Sequence, residues 1–135
     1  MMISSKGRYA MRLMIDLAQH LGQGNIPLKE ISARQNVSMK YLEAIARRLS
    51  ADGLIEAHHG KFGGYTLAGH PADVSVGDIL RSAEDQLMPV DCGPDDLSSE
   101  YVSDCLTYPL WQHLEDTIYD HIDSVSLDDV IHGRT

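Results

Sequence analysis

Residues 27–69 place two short helical patterns and a glycine-rich hairpin in direct succession, and this order restricts the fold more than any other feature of the chain. Pro27 suits the first position of an amphipathic helix, because its fixed φ matches a helix and its missing N–H needs no partner there. An Asn-Val-Ser break follows, in which Val37 is an apolar plug and Ser38 is a good N-cap for the next helix. Two helices joined in this way form a candidate helix-turn-helix.

The second helix is expected from about Met39 to Asp52, where apolar residues recur at helical spacing and Gly53 ends the pattern. Residues 54–69 then read as a strand, a glycine-rich turn that carries Lys61, and a second strand. A hairpin directly after a helix-turn-helix is typical of the wing of a winged helix. Its basic tip can bring a cation and backbone amides close to phosphates.

The net charge of −9 hides a strong asymmetry between two parts of the chain. Residues 1–62 contain nine Lys and Arg against five Asp and Glu, a net of +4, whereas residues 63–135 contain two against fifteen, a net of −13. This asymmetry indicates that the basic part meets a polyanion while the acidic part keeps the protein soluble. The alternative is a weakly basic surface without a partner.

Three further helices are predicted around this unit. The first starts after Ser4 or Ser5 and has an apolar face that reaches Leu21. A short helix is expected at 76–83, and a long one from about Pro109. A capping-box pattern after the long helix predicts one more short helix near the C-terminus.

The long helix carries an apolar stripe from Leu110 to Val125 with no obvious partner in so small a chain. Packing against its copy in a second subunit would give a two-fold homodimer, and packing on the winged domain is the alternative. The predicted fold class is mainly α with a small β-hairpin wing: a winged helix-turn-helix domain plus a long C-terminal dimerisation helix. We expect a DNA-binding domain at 1–84, a cysteine-containing sensor loop at 85–108, and the dimerisation helix with a tail helix at 109–135.

The second helix of a helix-turn-helix enters the major groove of DNA, with its N-terminal residues nearest the bases. Lys40, Glu43 and Arg47 lie on its outward face. Lys40 and Arg47 can meet phosphate or the acceptor edge of guanine. Glu43 can accept from an amino group such as cytosine N4, or pair with Arg47 at i,i+4 spacing.

Other residues are placed for the DNA backbone. Ser38 and Tyr41 can hydrogen-bond phosphates, although Tyr41 suits the core equally well. Arg8 in the first helix and Lys61 in the wing would add cationic contacts. Binding of this kind should weaken steeply with salt, because phosphate contacts displace counterions.

Four segments, taken in order and spacing, resemble one bacterial winged-helix regulator family: ISSKGRYAMRLMIDLA, PLKEISARQNVSMKYLEAIARRLSADGLI, GKFGGYTLAG and CLTYPLW. The family includes the iron–sulfur cluster regulator IscR, the nitric-oxide-sensitive repressor NsrR and the cysteine-metabolism repressor CymR. The resemblance covers nearly all of residues 1–132 and implies a homodimeric DNA-binding transcription regulator, with a repressor favoured. The family's wing usually reads Arg-Gly where this chain has His59-Gly60, so a wing contact by His59 would be weaker or pH-dependent.

Cys92 and Cys105 are the two cysteines of the chain. In cluster-binding members of the family, three cysteines of this loop hold a [2Fe–2S] or [4Fe–4S] cluster; Cys92 resembles the first and Cys105 the third, while the middle one is absent. Four interpretations stay open. These are an iron–sulfur cluster completed by other ligands or by a second subunit, a cluster-free loop controlled by a regulatory protein or small-molecule partner, a thiol switch, and another metal such as zinc.

The sequence carries none of the motifs expected of an enzyme or a membrane protein. A nucleophile–base pair, a phosphate-binding loop and paired catalytic carboxylates are all missing. Apolar runs stay well short of the roughly 20 residues that a membrane span needs, and the N-terminus lacks a signal core. The sequence therefore predicts a cytoplasmic regulator that binds double-stranded DNA and is not an enzyme, with an acidic protein-interaction module as the alternative.

Overall fold

The computed structural model describes residues 3–85 and 106–135. Its elements in chain order are α1 Ser5–Gln19, α2 Leu28–Gln35, α3 Met39–Ala51, β1 Ile55–His58, β2 Gly64–Leu67, a 3₁₀ turn Pro71–Asp73, α4 Val76–Ala83, α5 Tyr108–Ser124 and α6 Leu127–Ile131. The predicted fold class is confirmed: the chain is mainly helical, with one antiparallel hairpin and a long C-terminal helix. Cys92 and Cys105 lie outside the described residues.

Helix α1 forms the centre of the apolar core. Ser4 caps it by accepting a hydrogen bond from the backbone N–H of Lys6 at 3.2 Å. Leu13 and Met14 are fully buried against residues contributed by the other helices. Helices α2, α3, α4 and α6 all contact α1, and so does strand β2. The winged unit therefore has one continuous core, and this core fixes the orientation of α3.

Three expected boundaries are wrong by one to a few residues. Leu21 does not belong to the apolar face of α1, because the helix ends at Gln19 and Leu21 is 52% exposed. Gly22 adopts a left-handed φ of 84° just beyond it, which turns the chain away from the helix axis. Pro27 is the N-cap of α2 and not its first helical residue, and α5 begins at Tyr108, one residue before Pro109.

The wing is attached to the start of α2 by a bridge that sequence patterns did not predict. Ile26 pairs with Tyr65 of β2: the Ile26 N–H donates to the Tyr65 carbonyl at 3.0 Å, and the Tyr65 N–H donates back at 2.8 Å. Gly64 allows this approach, since a Cβ there would lie 2.5 Å from the Ile26 carbonyl carbon. The hairpin is therefore held beside α2 at a fixed distance.

A buried carboxylate joins α1 to α2. Asp16 is 1% exposed and accepts hydrogen bonds from Arg34 Nη2 at 2.7 Å, Arg34 Nε at 3.0 Å and Gln35 Nε2 at 3.1 Å. Burial of Asp16 raises its pKa, but the hydrogen bonds from Arg34 and Gln35 and the charge of Arg34 outweigh that effect, so the pKa lies below its usual value. This contact fixes the angle between the two helices before the turn.

The last turn of α3 is tied to the segment that follows α4. Ser82 of α4 donates to the Asp52 carboxylate at 2.6 Å, and Arg48 pairs with Asp85 at 3.0 Å. Glu84 accepts hydrogen bonds from both the N–H and the hydroxyl of Ser4, at 2.8 and 2.7 Å. The start of the cysteine-containing segment is thus held against the base of α3 and the N-terminus of α1.

Helix α5 contacts helix α4 of its own chain. Arg81 of α4 donates two hydrogen bonds to Asp123, at 2.6 and 2.8 Å, and its guanidinium lies 5.1 Å from the centre of the Tyr119 ring. Leu110 and Leu114 lie roughly opposite, since Leu110 precedes Tyr119, and Leu114 precedes Asp123, by about 2.5 helical turns. Val125, at the end of the apolar stripe, is buried in the core. Leu110 is 57% and Leu114 40% exposed, and no residue of α5 is buried within the described part of the chain.

Candidate nucleic-acid interface

Helix α3 buries one face in the core and exposes the other. Leu42, Ile45, Ala46 and Leu49 are buried, as the sequence pattern predicts. Lys40, Glu43 and Arg47 are exposed on the opposite side, and so is Ser38 at the N-cap. The Ser38 oxygen accepts the N–H of Tyr41 at 3.2 Å, which leaves the hydroxyl hydrogen to donate elsewhere.

Tyr41 takes part in packing inside the protein. Its hydroxyl lies 2.8 Å from the Ser5 hydroxyl, and its ring meets Tyr9 edge to face with 5.3 Å between centroids. The side chain is half-buried and packs against the core cluster. Tyr41 therefore positions the first turn of α3 against α1, and a phosphate contact by its hydroxyl stays a prediction.

An open groove of about 830 Å³ lies between α3 and the wing. Its walls include Lys29 of α2, Glu43 and Arg47 of α3, and His59 of the wing. The structure thus brings together two predicted contact residues of the helix and one of the hairpin on a single concave surface. Lys61 is exposed at the wing tip just beyond it.

The two adjacent wing histidines have different surroundings. His58 Nε2 lies 2.9 Å from the Thr66 hydroxyl across the hairpin, whereas the side chain of His59 is exposed. Across residues 3–85 and 106–135, no group of three or more His, Cys, Asp or Glu residues is arranged to hold a metal ion.

Several cations of the winged unit have no carboxylate partner among the described residues. Six of the eleven Lys and Arg residues form no ion pair with an acidic group of the described chain. They are Arg8, Arg12, Lys29, Lys40, Arg47 and Lys61. All six precede residue 62, and the i,i+4 pair between Glu43 and Arg47, the alternative to a base contact by Glu43, is absent from the described contacts. The basic face therefore keeps its full charge for a ligand.

The other five cations are used inside the protein. Lys6, Arg34, Arg48, Arg81 and Arg134 all pair with carboxylates. The contrast is sharpest between neighbours: Arg48 pairs with Asp85, while Arg47, one residue earlier, faces the groove unpaired. Helical geometry turns adjacent side chains by about 100°, which separates the two roles.

Sequence reasoning missed two members of this face. Arg12 follows Arg8 by one helical turn, and its guanidinium lies 5.6 Å from the centre of the Tyr9 ring, which in turn packs on Tyr41. Lys29 lies in the first turn of α2 and lines the groove beside Arg47. The i,i+4 spacing could have revealed Arg12. Lys29 had no such signal, because its position depends on the bridge between Ile26 and the wing.

The described chain has no helix long and apolar enough to cross a bilayer. The face built by α1, α2, α3 and the wing has the geometry of a DNA-binding winged helix: an exposed N-terminal half of α3, a hairpin alongside it, and a surface of unpaired cations.

Comparison with known proteins identifies the family. Residues 3–133 match the Rrf2 family model, described as an iron-dependent transcriptional regulator. A Neisseria meningitidis serogroup A protein named as an HTH-type transcriptional regulator is 39% identical over 99% of this chain and 90% of its own length. The HTH-type transcriptional regulator IscR of Pectobacterium atrosepticum is 34% identical over 99% of this chain and 81% of its own.

Among solved structures, CymR, the global cysteine regulator of B. subtilis, is 34% identical, with a TM-score of 0.82 over 98% of this chain and 97% of that one. These relatives are named as regulators and not as enzymes, in agreement with the sequence prediction. Their likeness extends over the winged unit and the C-terminal helices alike. The chain belongs to the Rrf2 family of DNA-binding transcriptional regulators.

Proposed function

We propose that this protein is a homodimeric, sequence-specific repressor that inserts α3 into the major groove of double-stranded DNA and lays the wing beside it. The observation that carries this proposal is that six cations of the winged unit have no carboxylate partner in the described chain, and that two of them, Lys29 and Arg47, line the groove beside α3. A folded protein normally neutralises part of its surface charge internally, as the other five cations here do. A face left cationic beside an exposed α3 suits a polyanion.

The outward residues of α3 divide into two chemical roles. Arg47 and Lys40 are long cations that reach either phosphate or the guanine acceptors O6 and N7. Glu43, between them on the same face, carries no donor, so it selects for an exposed amino group and disfavours a phosphate. Ser38 at the helix N-terminus would donate to phosphate through its free hydroxyl hydrogen.

Arg8, His59 and Lys61 would contact the backbone on either side of the groove. His59 stands where the family's wing usually carries an arginine, so its contact with the backbone would be weaker. The Tyr41 hydroxyl shares a hydrogen bond with Ser5, and it keeps its own hydrogen for a phosphate when Ser5 is the donor in that bond. Its main role in this proposal is to support α3.

Dimerisation would occur through the apolar stripe of α5. A helix that leaves Leu110 and Leu114 exposed in the single chain while Asp123 pairs with α4 fits a two-fold interface. The proposed organisation is a DNA-binding domain at 1–84, a sensor loop at 85–108, and a dimerisation helix with its tail at 109–135. The two DNA-binding domains of such a dimer would place their α3 helices in successive major grooves.

Control of DNA binding is assigned to Cys92 and Cys105. Iron–sulfur clusters take four protein ligands, mostly thiolates, and one chain supplies two. The donor set is therefore incomplete for a cluster held by a single chain without other ligands. The same two thiols can close a disulfide, and either change would act on a segment whose first residue, Asp85, pairs with Arg48 of α3.

DNA binding is tested with a duplex that the wild-type protein selects from a random-sequence pool. We expect Arg47→Ala, combined with Lys40→Ala, to lower affinity by about 100-fold or more, since each such contact contributes about 1–3 kcal/mol. Arg134→Ala is the matched control, because Arg134 pairs with Asp128 and Asp129 away from this face. Equal losses of DNA affinity in the double variant and in Arg134→Ala, or tight DNA binding by the double variant, would refute the assignment of Lys40 and Arg47 to the DNA contact.

The control element is tested on protein purified without oxygen. An absorption spectrum with iron and sulfide analysis detects a cluster, and thiol titration before and after mild oxidation detects a disulfide. A colour lost in Cys92→Ala establishes the cluster. Loss of both thiols on oxidation, with a change in DNA affinity, establishes the switch. If neither appears, a regulatory protein or small-molecule partner takes the role.

A further inference from the structure

The tip of the wing presents an aromatic ring to solvent. Phe62 is the one phenylalanine of the chain, and it is 83% exposed. Glycines in the same turn, Gly60 and Gly63, provide no side chains to cover it. A buried phenylalanine contributes about 1.5–3 kcal/mol relative to an exposed one, so a ring left at a tip forgoes that stabilisation in the free protein.

The backbone that carries the ring is fixed by hydrogen bonds. The Phe62 carbonyl accepts a hydrogen bond from Asn25 Nδ2 at 3.1 Å, and the Gly63 N–H donates to the Gly60 carbonyl at 3.0 Å. A Cβ at Gly63 would lie 2.4 Å from the His58 carbonyl oxygen, so the turn closes only with glycine there. A tip fixed in this way pays little entropy when it meets a partner.

A cation accompanies the ring. Lys61 Nζ lies 5.6 Å from the centre of the Phe62 ring, a cation–π distance, and Lys61 has no carboxylate partner among the described residues. The tip therefore offers a positive charge and an apolar ring together, beside a groove that carries Arg47. A partner that suits both must place anionic groups next to an apolar wall.

The minor groove of DNA has this chemistry, because its phosphates border deoxyribose faces and stacked base edges. We propose that Phe62 is a DNA-contact residue, which enters the minor groove beside the major-groove site of α3 and partly unstacks one base step while Lys61 meets the flanking phosphate. The ring adds affinity that does not depend on counterion release. This inference rests on the proposed DNA-binding function.

The test compares Phe62→Ala, Phe62→Leu and Lys61→Ala on the selected duplex, with 2-aminopurine placed at successive positions under the wing. We expect wild-type protein to raise the 2-aminopurine fluorescence at one step, because unstacking relieves quenching. Phe62→Ala should abolish that rise in fluorescence and bind the duplex about 10-fold more weakly. The dependence of its affinity on salt should be unchanged. Phe62→Leu should keep most of both, since leucine also serves as an apolar wedge.

Lys61→Ala should instead reduce the slope of log affinity against log salt by about 1 per bound subunit. Wild-type affinity and fluorescence in Phe62→Ala would overturn the inference and leave the proposed function intact, and would point to a protein partner for the ring. A wild-type protein that binds no duplex would overturn both the inference about Phe62 and the proposed DNA-binding function. Because Phe62 is exposed, the thermal transition of each variant should match wild type, which makes any loss a binding effect.

Discussion

Helices α3 and α5 use their apolar residues in opposite ways. Helix α3 has 13 residues and buries four of them in the core of its own chain, which directs its charged side outward. Helix α5 has 17 residues, none buried among the described part of the chain, and contacts α4 through Asp123 while its leucines face away. The first arrangement leaves a polar surface available for a polyanion. The second leaves an apolar surface available for another apolar surface.

The charges follow the same division. On the outward side of α3, Lys40 and Arg47 lack carboxylate partners within the described chain, and around α5 and α6 both cations, Arg81 and Arg134, are paired. A surface that binds DNA must keep its positive charge free, and a surface that binds a second copy must limit it. The region around α3 is therefore suited to bind a polyanion, and the region around α5 is suited to bind an apolar surface.

The largest effect is expected from placing charge in the α5 stripe. Leu110→Glu combined with Leu114→Glu should convert the proposed dimer to a monomer, because the carboxylates would be buried against one another in the interface. Loss of the second DNA-binding domain should lower affinity for the selected duplex by at least about 100-fold. Light scattering coupled to gel filtration measures the mass, and fluorescence anisotropy the affinity.

Gln112→Glu is the control for this pair, since it adds a single carboxylate on the side of α5 away from the stripe, and either single Leu→Glu variant matches it in charge. Gln112→Glu should leave both mass and affinity unchanged. A monomeric wild-type protein, or a double variant that stays dimeric, would show that α3 and α5 do not differ in the proposed way.

The next largest effect is expected from the contact of Asp16 with Arg34 and Gln35, which fixes α2 and therefore α3. Asp16→Asn removes the charge that holds Arg34 and Gln35, and should lower the free energy of unfolding by about 3 kcal/mol. The pKa of Asp16 is lowered on folding, so its contribution is present above its unfolded pKa and is lost as pH falls through the folded value.

Urea unfolding of the wild type and of Asp16→Asn between pH 7 and pH 3 measures the contribution of Asp16 to the free energy of unfolding. The wild type should lose stability below about pH 4 more steeply than Asp16→Asn. Parallel curves for the two proteins would mean that the Asp16–Arg34 contact does not set the acid sensitivity of the helix pair.

A smaller effect is expected from the two cations that sequence reasoning missed. Arg12→Ala and Lys29→Ala should each weaken binding by about 3- to 10-fold, uniformly across duplex sequences, because phosphate contacts carry no base information. Competition with duplexes that differ at single base pairs measures this. Sequence-dependent losses would instead place these residues at base edges, and unchanged affinity would remove them from the face.

The smallest effect is expected from the tether between α4 and α5. Arg81 and Asp123 are both about half exposed, so Arg81→Gln should cost no more than about 1 kcal/mol despite the two short hydrogen bonds. The hydrogen bonds from Arg81 lower the pKa of Asp123, and so this contribution also disappears as pH falls through the folded pKa. Thermal unfolding at pH 7 and pH 3 checks it, and a loss of several kcal/mol would show that α5 depends on its own chain more than its exposure indicates.

Local patterns were enough to predict the helix pair and its turn. Ser38 caps α3 because a hydroxyl at that position satisfies a free N–H, and Val37 is buried because the break must still cover the core. The bridge between Ile26 and Tyr65 escaped prediction, since a single pair of hydrogen bonds leaves no alternation in the sequence. Lys29 was missed for the same reason.

Which cations stay unpaired also lay beyond the sequence. Arg47 and Arg48 are adjacent and chemically identical, and what separates them is Asp85, which comes close only in the folded chain. Helical periodicity predicted that Arg47 faces outward. It could not predict that the partner of Arg48 would come from the segment leading into the two cysteines.

We propose that the six unpaired cations form the surface that binds DNA. The most direct test is the slope of log affinity against log salt for the wild type and for single alanine variants at each of the six, with Arg134→Ala as the paired control. We predict a steep wild-type slope that becomes shallower by about 1 per subunit in the variants and is unchanged in Arg134→Ala. Identical slopes for all seven variants and the wild type would contradict the account.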